Sequence, residues 1–166
     1  MTKERKMVTD YHYTECGLDN VLIRDMPIIL DDDGDEILSI PAVNLLHALI
    51  MLELSEKNGS WSASELKFVR TELGLTQSQL GELVDKDRQT IARWEKDQSD
   101  IDKSSEMVIR MAAVDRLLDL EILELVKEPI PKRVPVMDMS ARVRPNAANN
   151  QIVIQTTAHG YSRAAA

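Results

Sequence analysis

Three side chains that hydrogen-bond well to flat partners lie close together in the sequence: Arg88, Gln89 and Arg93. An arginine guanidinium can donate twice to O6 and N7 of guanine, and a glutamine amide pairs with N6 and N7 of adenine. Ile91 and Trp94 alternate with them at helical spacing, which predicts a helix with one polar and one apolar face. We expect the apolar pair in the core and the polar side chains on DNA, with Arg93 at a base or a phosphate.

The elements that must hold this helix are marked by capping residues. A Ser or Thr followed three residues later by Glu or Gln predicts a helix start, whereas Gly is typical of a helix end and Asp of an N-cap. In chain order these residues are Ser62 with Glu65, Gly74, Thr76 with Gln79, and Asp87. The pattern predicts three short helices between residues 62 and 97, with the tight turn of a helix-turn-helix between the last two.

The positions of apolar and polar residues in this segment also follow a known pattern. The matching stretches are LGLTQSQL at 73–80, Leu83 with Val84, and RQTIARWE at 88–95. They resemble the Xre or phage-repressor (Cro/CI-like) helix-turn-helix family. Leu80, Leu83 and Val84 are expected to point inward. The resemblance implies that the third helix is the recognition helix of the major groove.

Three positions depart from the family pattern. Gly81 stands where the family usually has Ala, and it still permits close helix approach. Asp85 replaces a Gly of positive φ, and Asp is one of the few other residues that tolerate this conformation. Lys86 replaces a buried Val, so we expect its stem along the edge of the core and its ammonium group in water.

Further DNA contacts are predicted outside the three readers. The resemblance implies that Gln77, at the start of the second helix, bonds a phosphate and braces the recognition helix, with the N-terminal amides adding dipole attraction. Thr76, Arg70 and Lys96 are candidate phosphate contacts, and Thr90 is a candidate DNA contact on the recognition helix. For Arg70 and Lys96 the alternative is a solvated surface side chain.

We predict a mainly α fold in three parts. Residues 1–60 form an acidic α+β element for partner or dimer interaction. Residues 61–128 form a five-helix, λ-repressor-like DNA-binding domain with a long C-terminal helix. Residues 129–166 form a Pro-rich, basic and disordered tail, in which QIVIQTT at 151–157 has strand composition and could pair with a sheet or a partner.

The front part is predicted to contain a small, irregular β element and a connecting helix. The acidic run at 31–36 separates two apolar runs, so it is a loop within a β element around residues 11–40. From Pro41, apolar residues recur at spacings of three and four until Asn58-Gly59, which predicts a buried helix. Its apolar residues are Val43, Leu46, Leu49, Ile50 and Leu54.

Charge bears on how DNA could be bound. The net charge of -8 argues at first sight against a polyanion partner, because counterion release needs clustered Lys and Arg. Between residues 63 and 97, however, 6 basic residues nearly balance 7 acidic ones. One such unit would bind weakly, whereas two copies about 34 Å apart would meet successive major grooves. The amphipathic helix predicted from Ser104 to near Glu128 offers a homodimer seam, with a purely intramolecular role as the alternative.

Metal, cofactor and enzyme chemistry find little support. His12 and Cys16 form a lone pair, while His47 and His159 are scattered, so we predict no metal and no cofactor. A Cys16–His12 nucleophile would lack an orienting residue, so we predict no catalytic residue. The longest apolar stretch, 41–54, is too short to span a bilayer, and a single cysteine fits a reducing compartment. We expect a cytoplasmic protein, at the nucleoid when bound to DNA.

The first functional hypothesis is a dimeric transcriptional repressor that reads a palindromic operator. The segment YHYTECGLDNV at 11–21, followed by a helix-turn-helix, resembles MqsA- and HigA-type antitoxin-like regulators, although the paired CxxC zinc motifs are absent. This resemblance implies an alternative, an antitoxin that neutralises a toxin through residues 1–60 or the tail and represses its own operon. A third hypothesis is an adaptor whose helix-turn-helix binds protein and not DNA.

Overall fold

The computed structural model describes residues 5–30, 32–38, 40–119, 151–157 and 160–163. The first elements are β1 (Arg5–His12), β2 (Val21–Leu30), β3 (Glu36–Leu38) and α1 (Val43–Glu56). They are followed by α2 (Ala63–Glu72), α3 (Gln77–Val84), α4 (Arg88–Glu95), α5 (Lys103–Asp119), β4 (Ile152–Thr157) and β5 (Gly160–Arg163).

One five-stranded sheet is built around β2. Strand β1 pairs with it antiparallel along most of its length, from Arg5 opposite Ile29 to His12 opposite Leu22. On the other side, β4 runs parallel to the first half of β2 and β3 runs antiparallel to the second half. The two halves meet at Asp25, which has a φ of 55°. The predicted mainly α fold is therefore only partly correct, because the five helices are accompanied by a sheet.

The prediction of a disordered tail at 129–166 is wrong for its end. Strand β4 lies beside β2, where the Ile152 amide donates to the Asn20 carbonyl at 2.8 Å, and β5 pairs with β4 in turn. Ile152 and Ile154 are buried on one face, so the pairing adds apolar burial to backbone hydrogen bonds. The predicted continuation of the long helix beyond 119, and most of the predicted tail, lie outside the described residues.

Helix α1 is the buried connecting helix expected from the sequence. It contacts β4 and β5 as well as α2 and α5, and a helix covered in this way is apolar on most of its surface. Its buried apolar residues include Leu46, Leu49, Ile50 and Leu54. Val43 was expected among them but is 39% exposed, because the helix begins there, directly after Ala42 in a left-handed conformation.

Helix α5 contains a buried ion pair, whose arginine contacts the end of α1. Glu106 and Arg110 are both inaccessible to solvent, with Arg110 Nη2 2.6 Å from Glu106 Oε1. Arg110 also donates to the carbonyls of Lys57 and Gly59, each at 2.7 Å, and lies over the Trp61 ring. The guanidinium thus pairs with carbonyl groups at and just after the C-terminal end of α1, where a helix leaves them without a helical partner. This contact holds the end of α1 against α5.

The five-helix domain predicted at 61–128 contains α2 to α5 in its described part. The helix that packs on this group is α1, which precedes it in the chain and contacts α2 and α5. One cluster of buried side chains runs through the sheet, α1 and the later helices. The predicted boundary at residue 60 therefore separates elements that share a core.

Candidate nucleic-acid interface

The two predicted capping boxes are present at the starts of α2 and α3. Ser62 Oγ accepts from the Glu65 amide at 3.2 Å, and Glu65 Oε2 accepts from the Ser62 amide at 2.7 Å. Thr76 and Gln79 form the same reciprocal pair at 3.1 and 2.9 Å. Both helix starts are therefore fixed by residues local in sequence.

The turn between α3 and α4 depends on two of the three residues that depart from the family pattern, Gly81 and Asp85. A Cβ atom on Gly81 would lie 2.4 Å from the Lys86 carbonyl oxygen, so only glycine fits here without a backbone shift. Asp85 ends α3 with φ 54° and ψ 49°, the left-handed conformation predicted for it. The Lys86 amide then donates to the Gly81 carbonyl at 2.9 Å. These contacts bring the start of α4 close to α3.

The side chains of α3 follow the predicted pattern with one exception. Leu80 is fully buried and Val84 packs against the core. Leu83 was predicted to point inward, but it is 43% exposed, since the buried stripe of this short helix is narrow. The exposed Lys86 places Nζ 3.7 Å from Asp102 Oδ2, which agrees with an ammonium group in water.

Helix α4 begins at the predicted cap. Asp87 Oδ1 accepts from the Thr90 amide at 2.8 Å. The hydrogen bond from this amide, followed by that from the Thr90 hydroxyl, lowers the pKa of the Asp87 carboxyl below its ordinary value. Ile91 and Trp94 are buried, as predicted for the apolar face. The cap and the apolar face together fix how α4 presents its opposite face.

The N-terminal readers predicted on α4 are accessible. Arg88 and Gln89 are both exposed. Within the described part of the chain, neither side chain makes a hydrogen bond or ion pair with another residue. Their donors and acceptors are therefore available to a ligand that approaches the start of α4.

Arg93 is also exposed, but its guanidinium is not independent of the helix. Its Nη2 lies 3.4 Å from Thr90 Oγ1, to which it donates. The Thr90 hydroxyl in turn donates to Asp87 Oδ2 at 3.1 Å. Thr90, predicted as a DNA contact, thus lies between the cap and Arg93.

Glu95 joins three helices, although no role for it was predicted from the sequence. Its side chain is only 4% exposed. Arg70 on α2 donates to both Glu95 carboxylate oxygens, and Gln77 on α3 donates to Glu95 Oε2 at 2.9 Å. A signal was present, because Glu95 follows the buried Ile91 by four residues and so shares its helix face.

This arrangement corrects one prediction and supports another. Arg70 is occupied inside the group of helices, by Glu95 and by the Leu75 carbonyl at 2.7 Å, so it is a structural residue and not the expected phosphate contact. Gln77 braces the recognition helix as the resemblance implied. Thr76 at the α3 cap and Lys96 just after α4 are both exposed, as a phosphate contact requires.

The model of a helix-turn-helix family matches residues 66–123, less than half of the chain. A helix-turn-helix domain is present. The matched family is of the Xre/Cro/CI-like type, and the match suggests a DNA-binding transcription regulator, a class that is generally not enzymatic. Neither the curated proteins nor the solved structures that were searched contain a match. Nothing found supports the MqsA- or HigA-type features.

Neither a metal site nor a membrane-spanning helix is found in the described residues. No group of three or more His, Cys, Asp or Glu side chains in the described segments could hold a metal ion. His12 contacts the Asp19 carbonyl, and His47 contacts Tyr13 and Glu72, while His159 lies outside the described residues. None of the described helices has both the length and the apolar character needed to cross a membrane.

Proposed function

We propose that this protein is a sequence-specific transcription regulator, a dimeric repressor that reads a palindromic operator with α4. The observation that carries the proposal is the accessibility of Arg88 and Gln89 at the capped start of a helix whose other face is fixed by the core. An α-helix fits the major groove, and residues near the start of a recognition helix meet base edges. We place its action in the cytoplasm, at the nucleoid when it is bound to DNA.

The residues of the helix-turn-helix domain divide into readers and positioning contacts. Arg88 and Gln89 read bases through two-point hydrogen bonds, and Arg93 extends the reading face along the groove. Thr76 and Lys96 bind phosphates on either side of the groove, with the N-terminal amides of α3 adding dipole attraction. Phosphate contacts fix the register, and base contacts supply the specificity.

A dimer is supported by the exposed face of α5. Three of its large apolar side chains, Val108, Met111 and Leu118, are at least 38% exposed. Their spacing of three and seven residues places them on one side of the helix, beside its buried stripe. Two copies joined through this face would present two α4 helices and double the phosphate contacts of a domain that is nearly neutral.

The test is the selection of binding sites from random double-stranded DNA by the purified full chain at moderate salt. The proposal predicts enrichment of an inverted repeat whose half-sites are one helical turn apart. Quantitative binding to the enriched site should fall linearly as the logarithm of the salt concentration rises. Recovery of no sequence preference, with no retardation of DNA even at low salt, contradicts the proposal and favours the adaptor hypothesis.

The antitoxin alternative rests on the N-terminal sheet. The loop between β2 and β3 exposes Asp32, Asp33 and Asp35. Strand β3 then begins with the exposed Glu36 and with Ile37, which is 48% exposed. An exposed apolar side chain next to clustered acids fits a basic protein partner better than it fits DNA. A stoichiometric protein that copurifies with the chain, and is lost when this loop is neutralised, favours the antitoxin.

A further inference from the structure

The three polar readers of α4 differ in how they are held. Arg88 and Gln89 make no side-chain hydrogen bond among the described residues, whereas Arg93 donates to Thr90 Oγ1 at 3.4 Å. Thr90 donates to Asp87 Oδ2 at 3.1 Å, and the other Asp87 oxygen caps the helix. The contacts form a chain of three side chains at positions i, i+3 and i+6, which share one side of the helix.

We infer that Asp87 and Thr90 are positioning residues that hold the Arg93 guanidinium for base reading and keep it from acting as a phosphate contact. The inference rests on the proposed function. It assigns Arg93 to a base contact, whereas the sequence allowed either a base or a phosphate. It also reassigns Thr90, whose hydroxyl proton is directed to Asp87 and not outward to DNA.

Geometry favours the base over the phosphate. The chain of contacts draws the guanidinium back toward the N-terminal half of α4, which is the half that meets base edges in a helix-turn-helix. Gln89 precedes Arg93 by four residues, so the two side chains are neighbours on the exposed face. Arg93 is thereby held beside a reader.

Charge favours the base as well. The Asp87 carboxylate lies near enough to Arg93 for the guanidinium to stabilise its ionised form. A phosphate contact acts mainly through net charge and counterion release, which a neighbouring carboxylate weakens. A two-point contact with guanine depends on the direction of the N–H donors, which a fixed side chain retains.

The test compares site selection by the full-length parent chain with selection by Thr90→Val, Thr90→Ser and Arg93→Ala. Valine has the shape of threonine without its hydroxyl, whereas serine keeps the hydroxyl. We expect Arg93→Ala to remove the preference at one position of each half-site. Thr90→Val should weaken the preference at that same position roughly three- to tenfold, a part of the full discrimination, and Thr90→Ser should restore it.

Salt dependence separates the two contacts for Arg93. If it reads a base, Arg93→Ala leaves the slope of log affinity against log salt unchanged, as does the matched control Arg24→Ala on the sheet. A phosphate contact would lower the slope by about one for Arg93→Ala alone. That lower slope, with an unaltered base preference, overturns the inference.

A folding control keeps the outcome interpretable. Asp87→Ser retains a side-chain cap for the Thr90 amide but removes the second carboxylate oxygen and the charge. It should fold as the parent does and show the same loss at the Arg93 position as Thr90→Val. An Asp87→Ser protein with the parental preference contradicts the inference.

Failure of the proposed function gives a different result. If the parent chain selects no sequence, the DNA-reading role falls and the inference falls with it. If the parent selects a site and Thr90→Val selects it with undiminished preference at every position, only the inference is wrong.

Discussion

Single residues on α4 have separable effects on DNA binding. Arg88→Ala should relax the base preference at one position of each half-site and cost roughly 1–3 kcal/mol at the best sequence, because a two-point base contact is lost. Lys96→Ala should weaken all sequences alike and lower the salt slope by about one, since a phosphate contact carries charge and no sequence information. Binding isotherms for matched and mismatched duplexes at several salt concentrations measure both. Two variants that bind as the parent does contradict the docking.

Glu95 has a structural effect that can be told apart from DNA reading. Glu95→Gln removes the charge that accepts from Arg70 while keeping the size of the side chain, and it should lower the free energy of unfolding by about 2–3 kcal/mol. Urea denaturation followed by circular dichroism measures the loss. Glu82→Gln, the same change at an exposed position of α3, should be neutral within about 0.5 kcal/mol. Equal stability of the two variants would mean that Glu95 does not hold the helices together.

The features that could be predicted from single residues are those that depend on near neighbours in the sequence. The caps at Ser62, Thr76 and Asp87 bind backbone amides three residues away, and all three are confirmed. Arg70 was misassigned because its partner, Glu95, lies 25 residues further along the chain. A surface arginine and an internally paired one have the same sequence signature until the packing of the helices is known.

At the scale of elements, the start of α5 gives a pH-dependent prediction. Asp102 precedes this helix and accepts from the Ser105 amide at 2.9 Å and from its hydroxyl at 2.8 Å. Partial burial opposes ionisation, but these hydrogen bonds and Lys86 outweigh it and lower the pKa of Asp102 below its ordinary value of 3.8. The ionised carboxylate therefore contributes stability above about pH 4, and that stability is lost as the pH falls through the lowered pKa.

Asp102→Asn should accordingly lower the midpoint of thermal unfolding at pH 7, and the difference from the parent should shrink below pH 3.8. Thermal scans from pH 2.5 to 7 at fixed ionic strength measure it. Asp115→Asn, on an exposed part of the same helix, serves as the matched control because it caps nothing. A difference that stays constant across this range contradicts the assignment.

A second contact between elements links the sheet to the helix-turn-helix domain. Tyr13 lies 2.8 Å from His47 Nε2, and His47 Nδ1 lies 2.8 Å from Glu72 Oε1. Burial raises the pKa of Tyr13 to about 12, so its hydroxyl stays protonated where it faces the His47 imidazole. The imidazole then donates to Glu72 on α2. The segment before β2, α1 and α2 are thus joined by one chain of hydrogen bonds.

A helix or strand could be predicted where all the residues that define it lie in one stretch of sequence. Helix α1 and the three short helices have their own periodicity and caps, so they could be predicted. Strand β4 could not be placed, because its stability depends on pairing with Val21–Arg24 of β2, which lie far upstream in the sequence. Strand composition at 151–157 was visible, but its partner strand was not.

The molecule as a whole joins both ends of the described chain in one sheet. Arg163 on β5 pairs with Glu53 and Glu56 of α1, and Arg110 on α5 donates to backbone carbonyls at the same helix end. Helix α1 is therefore fixed between the sheet and the DNA-binding helices. A partner bound at the sheet would therefore contact elements that share a hydrophobic core with α4.

The exposed apolar face of α5 is the proposed interface between two copies of the chain. Met111→Lys places a charge at the most exposed apolar position of α5, and it should weaken self-association roughly tenfold or more, because the ammonium group would have to be desolvated in the seam. Analytical ultracentrifugation over a range of concentrations measures this. Thr71→Lys, which adds the same charge at an exposed position of α2, should associate as the parent does.

If Met111→Lys associates as the parent does, the dimer interface does not lie on this face of α5. A parent chain that stays monomeric and still protects both halves of an inverted repeat removes the need for a preformed dimer. Loss of operator affinity in Met111→Lys together with loss of dimer supports the arrangement proposed above.

Whether α4 reads DNA is tested most directly by an NMR titration of the isotopically labelled protein with the duplex recovered by site selection. We expect the largest changes in chemical shift at Arg88, Gln89 and Arg93, with smaller ones at Thr76 and Lys96. Changes that fall on the sheet while the exposed face of α4 stays unperturbed would contradict this expectation.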